Sequence, residues 1–203
     1  IGEELEECAA VLDLWTPGMM GGSALAKLLL GVEEPTGHAP ISFPRAAAQC
    51  PIYYNRIRSC RPYNAKDYYT SRYLDLAQGP LVPFGFGLSY YPSRLSLFGL
   101  REKEVALGGT LEFHYTIENL SEHPLRRLAQ FYAEKEIARP LRPEKALIAY
   151  HWVHLAPYEK KEETFVLPVS SFIANENDCG AYRLFLSENS ALDLESVPLW
   201  IKR

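Results

Sequence analysis

The stretch LEFHYTI, from Leu111 to Ile117, decides how the second half of this chain folds. Leu111, Phe113, Tyr115 and Ile117 fall on one face and Glu112, His114 and Thr116 on the other, which is the period-two alternation of a half-buried strand. Working outward, further short segments of strand character run at about Ala129 to Glu134, Ala146 to Leu155, Glu163 to Pro168, Ala181 to Ser187 and Val197 to Ile201. Gly108-Gly109, Asn119-Leu120-Ser121, Pro157 and Asp178-Cys179-Gly180 punctuate them as turns. About seven short strands in roughly 110 residues is the pattern of an immunoglobulin-like or fibronectin type III-like antiparallel β-sandwich. The Cys-Trp-Cys spacing of an antibody domain is lacking.

The composition suits a globular protein: 203 residues, 47% hydrophobic and 23% charged, with a formal net charge of −4. No run of lysine or arginine supplies a footprint for nucleic acid or an anionic membrane, so both are excluded as partners. Apolar runs such as Leu28 to Leu30 are far too short to span a bilayer. The amino end, IGEELEECAAVLDLW, has neither an initiator Met nor the regions of a signal peptide, and reads as the middle of a longer protein. Cys8, Cys50, Cys60 and Cys179 form no CxxC pair. Three disulfide pairings are open to them, but the wide spacing favours buried free thiols and hence a reducing compartment, a cytoplasm over a periplasmic or secreted setting.

The first half has another texture. An acidic helix end at Glu3 to Glu7 and an apolar strand at Val11 to Trp15 lead into the turn TPGMMGG. Ser23 is placed to cap a helix through Ala24, Leu25, Leu28 and Leu29, which stops at Gly31. PISFP, from Pro40 to Pro44, reads as a second strand. Strand, glycine turn, helix and strand make an α/β unit too small to stand alone, because a parallel sheet needs neighbours on both faces. From Gln49 to Tyr91 periodicity disappears under tyrosine and proline, a length that marks a functional or interface-forming loop.

Most chemical candidates fail on context. HWVH spaces His151 and His154 by three, a metal spacing on a helix, but on a strand the two point to opposite faces, so no metal site is expected. GFGLSYY resembles a nucleophile elbow, yet Tyr91 stands where the second glycine belongs, and Ser89 reads as a turn residue. Gly85 and Gly87 lack the third glycine and the helix of a dinucleotide loop. Asn119-Leu120-Ser121 fits a glycosylation acceptor and is read as a turn. RPYNAKDYYTSRYLD, from Arg61 to Asp75, survives: Arg61, Tyr63, Asp67, Arg72 and Tyr73 combine flat rings, forked donors and carboxylates of the kind that stack on and bridge sugar hydroxyls. The plainer alternative is a folded loop whose arginines and aspartates satisfy one another.

WTPGMMGGSALAKLLLGVEEPTGHAPISFPR, PIYYN, RPYN, TSRYLD and PLVPFGFGLSY occur here in the order seen at the end of the second α/β domain of glycoside hydrolase family 3, and the chain resembles the bacterial β-glucosidases of that family. RPLRPEKALIAYHWVHLAPYEKKEETFVL is similar to a segment of its fibronectin type III-like domain. The resemblance implies two parts, residues 1–91 from the end of the α/β sandwich domain and residues 92–203 as the β-sandwich, with PLVPFGFGLSYYPSRL as a rigid joint. In that joint Pro83, Gly85 and Gly87 set the path while Phe84, Phe86 and Tyr90 pack it against both sides.

The resemblance also implies a retaining enzyme that cleaves terminal β-linked sugars through a nucleophilic carboxylate and a carboxylic acid/base. Neither group is expected in these residues: the Asp belongs to an amino-terminal barrel, and no catalytic residue, cofactor or metal is assigned here. The implied partners are the barrel, the remainder of the α/β domain and a β-glucoside or oligosaccharide, with a second copy of the chain as a further candidate. Arg61, Tyr63, Asp67, Arg72 and Tyr73 are then contacts to substrate or to the barrel. Met20 stands where the family's turn carries Glu, and Ser23, Lys27 and His38-Ala39 also depart from its pattern, which bears on substrate preference. A reading from a different class is a non-catalytic carbohydrate-binding or protein-interaction module.

Overall fold

The computed structural model describes residues 7–136 and 142–203. Eight strands follow one another in the second half: β1 (Ser93–Leu100), β2 (Glu104–Ala106), β3 (Thr110–Asn119), β4 (Leu125–Lys135), β5 (Ala146–Leu155), β6 (Lys160–Pro168), β7 (Gly180–Asn189) and β8 (Leu192–Lys202). They form two sheets, ordered β1-β3-β6 and β2-β8-β7-β4-β5. All pairings are antiparallel except the short edge strand β2, which runs parallel to β8. The chain is thus mainly β, a two-sheet sandwich of the expected immunoglobulin and fibronectin type III-like kind.

The alternation in β3 builds the core as read. Leu111, Phe113, Tyr115 and Ile117 are 1%, 0%, 2% and 0% exposed. Phe113 packs on Phe131 of β4 at 4.8 Å between ring centroids, and Phe131 stacks on Phe165 of β6 at 5.4 Å. Offset and tilted contacts of this kind suit the ring quadrupoles and add to the area they bury. His151 belongs to the same cluster, stacked on Phe165 and hydrogen-bonded through Nδ1 to the Tyr115 hydroxyl at 2.7 Å, whereas His154 is exposed. The pair therefore splits across the sheet as strand geometry requires.

β4 departs from the simple inside-outside pattern. Ala129, Gln130, Phe131, Tyr132 and Ala133 are all buried, because the strand is covered on both faces. The outer cover is the segment before β1. Phe84 stacks on Tyr54 at 4.1 Å, and Tyr54 meets Tyr132 edge-on at 6.1 Å. Gln130 Nε2 donates to the Gly85 and Glu188 carbonyls at 2.9 and 2.6 Å, and the Tyr132 hydroxyl donates to Gln130 Oε1 at 2.8 Å. Gly85 has φ +81°, and a Cβ there would lie 2.2 Å from Gln130 Oε1, so glycine is required both by the turn and by the close approach.

Several first-half expectations are corrected. A helix α1 (Gly21–Leu29) forms and ends before Gly31 at φ +69°, but Met20 rather than Ser23 is its N-cap, and Ser23 lies inside the first turn. Val11 to Trp15 forms no strand, and PISFP contributes only a single bridge, Phe43 to Val82. A strand needs a hydrogen-bonding neighbour, and no described residues supply one for Val11 to Trp15. The helix end at Glu3 to Glu7 lies, apart from Glu7, outside the described residues. The thiols are unpaired but not buried: Cys8, Cys50 and Cys60 are exposed and Cys179 is half-buried. The Asn119 side chain is buried and donates to the carbonyls of His123 and Ala156 at 2.7 and 2.8 Å, so it is a turn strut and its amide is closed to glycosylation.

Candidate functional site

Arg61 to Asp75 folds as an irregular, largely exposed loop held together by its own polar groups. The Asp67 carboxylate accepts from the Tyr69 N–H at 3.0 Å, and the Asn64 side chain accepts from the Lys66 N–H at 3.0 Å; both are Asx turns. Thr70 Oγ1 donates to the Asp67 carbonyl at 2.8 Å. Arg72 Nη2 donates to the carbonyls of Asn64, at 2.8 Å, and of Asp67. The Arg72 guanidinium also lies 5.4 Å from the Tyr63 ring centroid and 5.7 Å from that of Tyr68. Arg72 is therefore first of all a brace of its own loop, which fits the plainer alternative for that residue. Its Nε is buried without a partner among the described residues, so one donor of the fork remains unused.

Arg61, Tyr63, Asn64, Asp67 and Thr70 line an open depression of about 660 Å³. The structure thus brings Arg61, Tyr63, Asp67 and Arg72 together. Tyr73 does not line the depression; its carbonyl accepts from Gln78 Nε2 at 3.2 Å. The rings of Tyr68 and Tyr69 stand out at 69% and 77% exposure. Among the described residues no group of His, Cys, Asp or Glu is arranged to hold a metal ion.

The groups that fix this loop on the sandwich were not singled out from the sequence. Arg58 pairs with Glu134 of β4, and Arg56 and Arg58 reach Glu144 at 3.4 and 3.7 Å. The Glu144 N–H donates to the Arg56 carbonyl at 2.8 Å. The spacing of Arg56 and Arg58 by two, which puts both on one side of an extended chain, is the signal that was available. A second tie joins Glu34, Ser89 and Arg127. Arg127 donates from Nη1 to Glu34 Oε1 at 3.0 Å and from Nη2 to Ser89 Oγ and the Tyr91 carbonyl at 2.7 and 2.5 Å, while Ser89 donates to Glu34. Both charged side chains of this tie are nearly buried.

Residues 93–202 close a core, whereas residues 7–91 do not. Within 7–91 only Gly21, Ser42, Gln49 and Gly85 are buried, and Val11, Trp15, Met19, Met20, Leu29, Leu30 and Val32 are exposed. Fold and loop together define a class: a β-sandwich carrying on its larger sheet a mostly irregular, one-helix segment that lacks its own interior. Residues 1–90 match the glycosyl hydrolase family 3 C-terminal domain. The chain is 32% identical over 197 residues to the periplasmic β-glucosidase of Salmonella typhimurium, covering 93% of this chain and 26% of that protein. It is 30% identical over 207 residues to a β-xylosidase of Formosa agariphila, covering 97% and 28%. The solved β-glucosidase of Listeria innocua in complex with glucose superposes with a TM-score of 0.89 at 34% identity, covering 99% of this chain and 29% of that one. The chain therefore spans about a quarter of the length of the relatives it matches.

Proposed function

We propose that this chain is the C-terminal portion of a retaining β-glucosidase-like hydrolase, divided into an α/β segment of residues 1–91 and a β-sandwich of residues 92–203. The observation that carries the reading is the contrast just described: one half with a closed core, and one half whose helix and apolar side chains lie open. Exposed apolar surface of this extent is an interface awaiting cover. That the chain is similar to β-glucosidases of which it spans only about a quarter supports taking the cover to be the remainder of the α/β domain and a barrel. The nucleophile and acid/base of the double displacement lie in those parts, and none of the carboxylates here is assigned to chemistry.

The Arg61 to Asp75 loop then faces the barrel. Tyrosine offers ring area with a hydroxyl that tolerates water, and arginine a planar fork for carboxylates, a pairing enriched at interfaces. The unused Arg72 Nε and the open depression beside Arg61, Tyr63 and Asp67 supply donors and rings for the barrel or for a sugar at its rim.

The test is a pair of assays with an aryl β-glucoside. The chain alone should show no turnover above background, since a retaining mechanism cannot run without its nucleophile. A chimaera in which this chain replaces the matching residues of the Listeria innocua β-glucosidase should be active. Turnover by the chain alone, or oligosaccharide binding by the chain alone as tight as by the chimaera, overturns the reading, the latter in favour of a free-standing binding module.

A further inference from the structure

We propose that His38 is a proton-operated latch on the joint: neutral, it lets the strap of residues 36–43 and 80–91 close over the outer face of β4 and β5, and protonated, it loosens that strap while the sandwich stays folded. The strap is a small unit with its own hydrogen bonds. Ala39 N–H donates to the Phe86 carbonyl, Gly85 N–H to the Ala39 carbonyl and Phe43 N–H to the Val82 carbonyl, each at 2.8 Å.

His38 sits at its centre. Its ring lies edge-on to Trp152 of β5, with 5.7 Å between centroids, and so close to Gly87 that a Cβ there would come within 3.0 Å of the ring. Nδ1 is 3.0 Å from the Thr36 carbonyl, which fixes the proton of the neutral ring on Nδ1.

The charges around the ring decide the direction. Arg127 of β4 acts on it as a cation, and Arg126, also of β4, covers the Trp152 ring at 4.3 Å. His154 stands opposite Arg126 across the β4–β5 ladder. Glu34, from the turn before the strap, is the opposing charge, but it is engaged by Arg127 and Ser89. Burial and the Arg127 charge together hold the imidazolium below its ordinary pKa, against the Thr36 carbonyl that favours it. The sign follows: the closed strap binds fewer protons than the open one, so its stability is full above the ordinary imidazole pKa of about 6.5 and falls as the pH drops through that value towards the lowered one. His123, stacked on Tyr91 at 4.2 Å, lies beside the same joint, and its resonances must be distinguished from those of His38.

The experiment is NMR on the whole chain. Histidine side-chain titrations are recorded with amide protection factors, corrected for intrinsic exchange, for Ala39, Phe43 and Gly85 in the strap and for Phe113 and Ile117 in the core. The expected result is a severalfold loss of protection in the strap, sharing its midpoint with His38 and leaving the core unchanged. In His38→Gln, which is neutral at every pH and keeps an amide donor for Thr36, the strap should stay protected in acid. Strap protection that is flat through the His38 titration, or that is lost equally in His38→Gln, overturns the proposal. Should the variant fail to fold, coincidence or mismatch of the two wild-type midpoints decides it.

Discussion

At the scale of single residues, the core is built from aromatic side chains with little freedom to relax. Phe113 contacts Phe98, Phe131 and Phe165 and is fully buried, so Phe113→Ala should lower stability by roughly 3–5 kcal/mol in urea unfolding. A loss of under about 1 kcal/mol would mean that the site collapses without a cavity. Tyr115, Tyr132 and Tyr182 are also buried, and burial drives each phenol above its ordinary pKa. A raised phenol contributes stability that is complete below the unfolded pKa of about 10 and is lost above it, at up to about 1.4 kcal/mol per pH unit for each ring. In a spectrophotometric titration these three of the 13 tyrosines should ionise only as the chain unfolds in alkali. Smooth ionisation of all the rings in the folded state would contradict this.

Elements differ in what holds them. β3 is fixed by a face that the sequence writes out plainly, whereas the Arg61 to Asp75 loop is fixed by hydrogen bonds that no periodicity announces. Arg72, itself half-buried, braces the loop through carbonyls and two tyrosine rings of exposed residues. Arg72→Ala should therefore cost the isolated chain little in thermal midpoint, since exposed polar contacts contribute on the order of 1 kcal/mol or less. In the active chimaera with the Listeria relative, the same substitution should lower activity with little change in midpoint if the loop faces the barrel. A large fall in midpoint with normal kinetics per folded molecule would confine Arg72 to bracing.

Across the whole molecule stability is uneven, because nearly all the buried apolar surface lies beyond Ser93. Regions with few buried contacts open first. Trypsin should therefore cut within residues 56–67, after the exposed Arg56, Arg58 and Lys66, before it cuts between β1 and β8. Mass spectrometry of the first fragments checks this, and early cleavage inside β3 or β4 would refute it. The same experiment on the chimaera should show the loop protected.

The sequence by itself determined the sandwich: Leu111, Phe113, Tyr115 and Ile117 point inward because a period of two leaves no other way to bury them, and β5 runs from Ala146 to Leu155 as the pattern indicated. It also wrote the glycine turns and, through its blocks of similarity, the family. Only the tertiary structure decided the rest. β4 is buried on both faces because the joint lies over Gln130 and Tyr132, and nothing local to β4 encodes a cover that comes from residues some fifty positions earlier. Val11 to Trp15 has strand composition but no strand, since pairing needs a neighbour that the described residues do not provide. His151 became a half-buried partner of Tyr115 and Phe165, and Glu34, Ser89 and Arg127 a tie, through contacts set by folding and not by spacing. Side-chain periodicity reports which face of an element seeks burial; what arrives to bury it depends on the path of the whole chain.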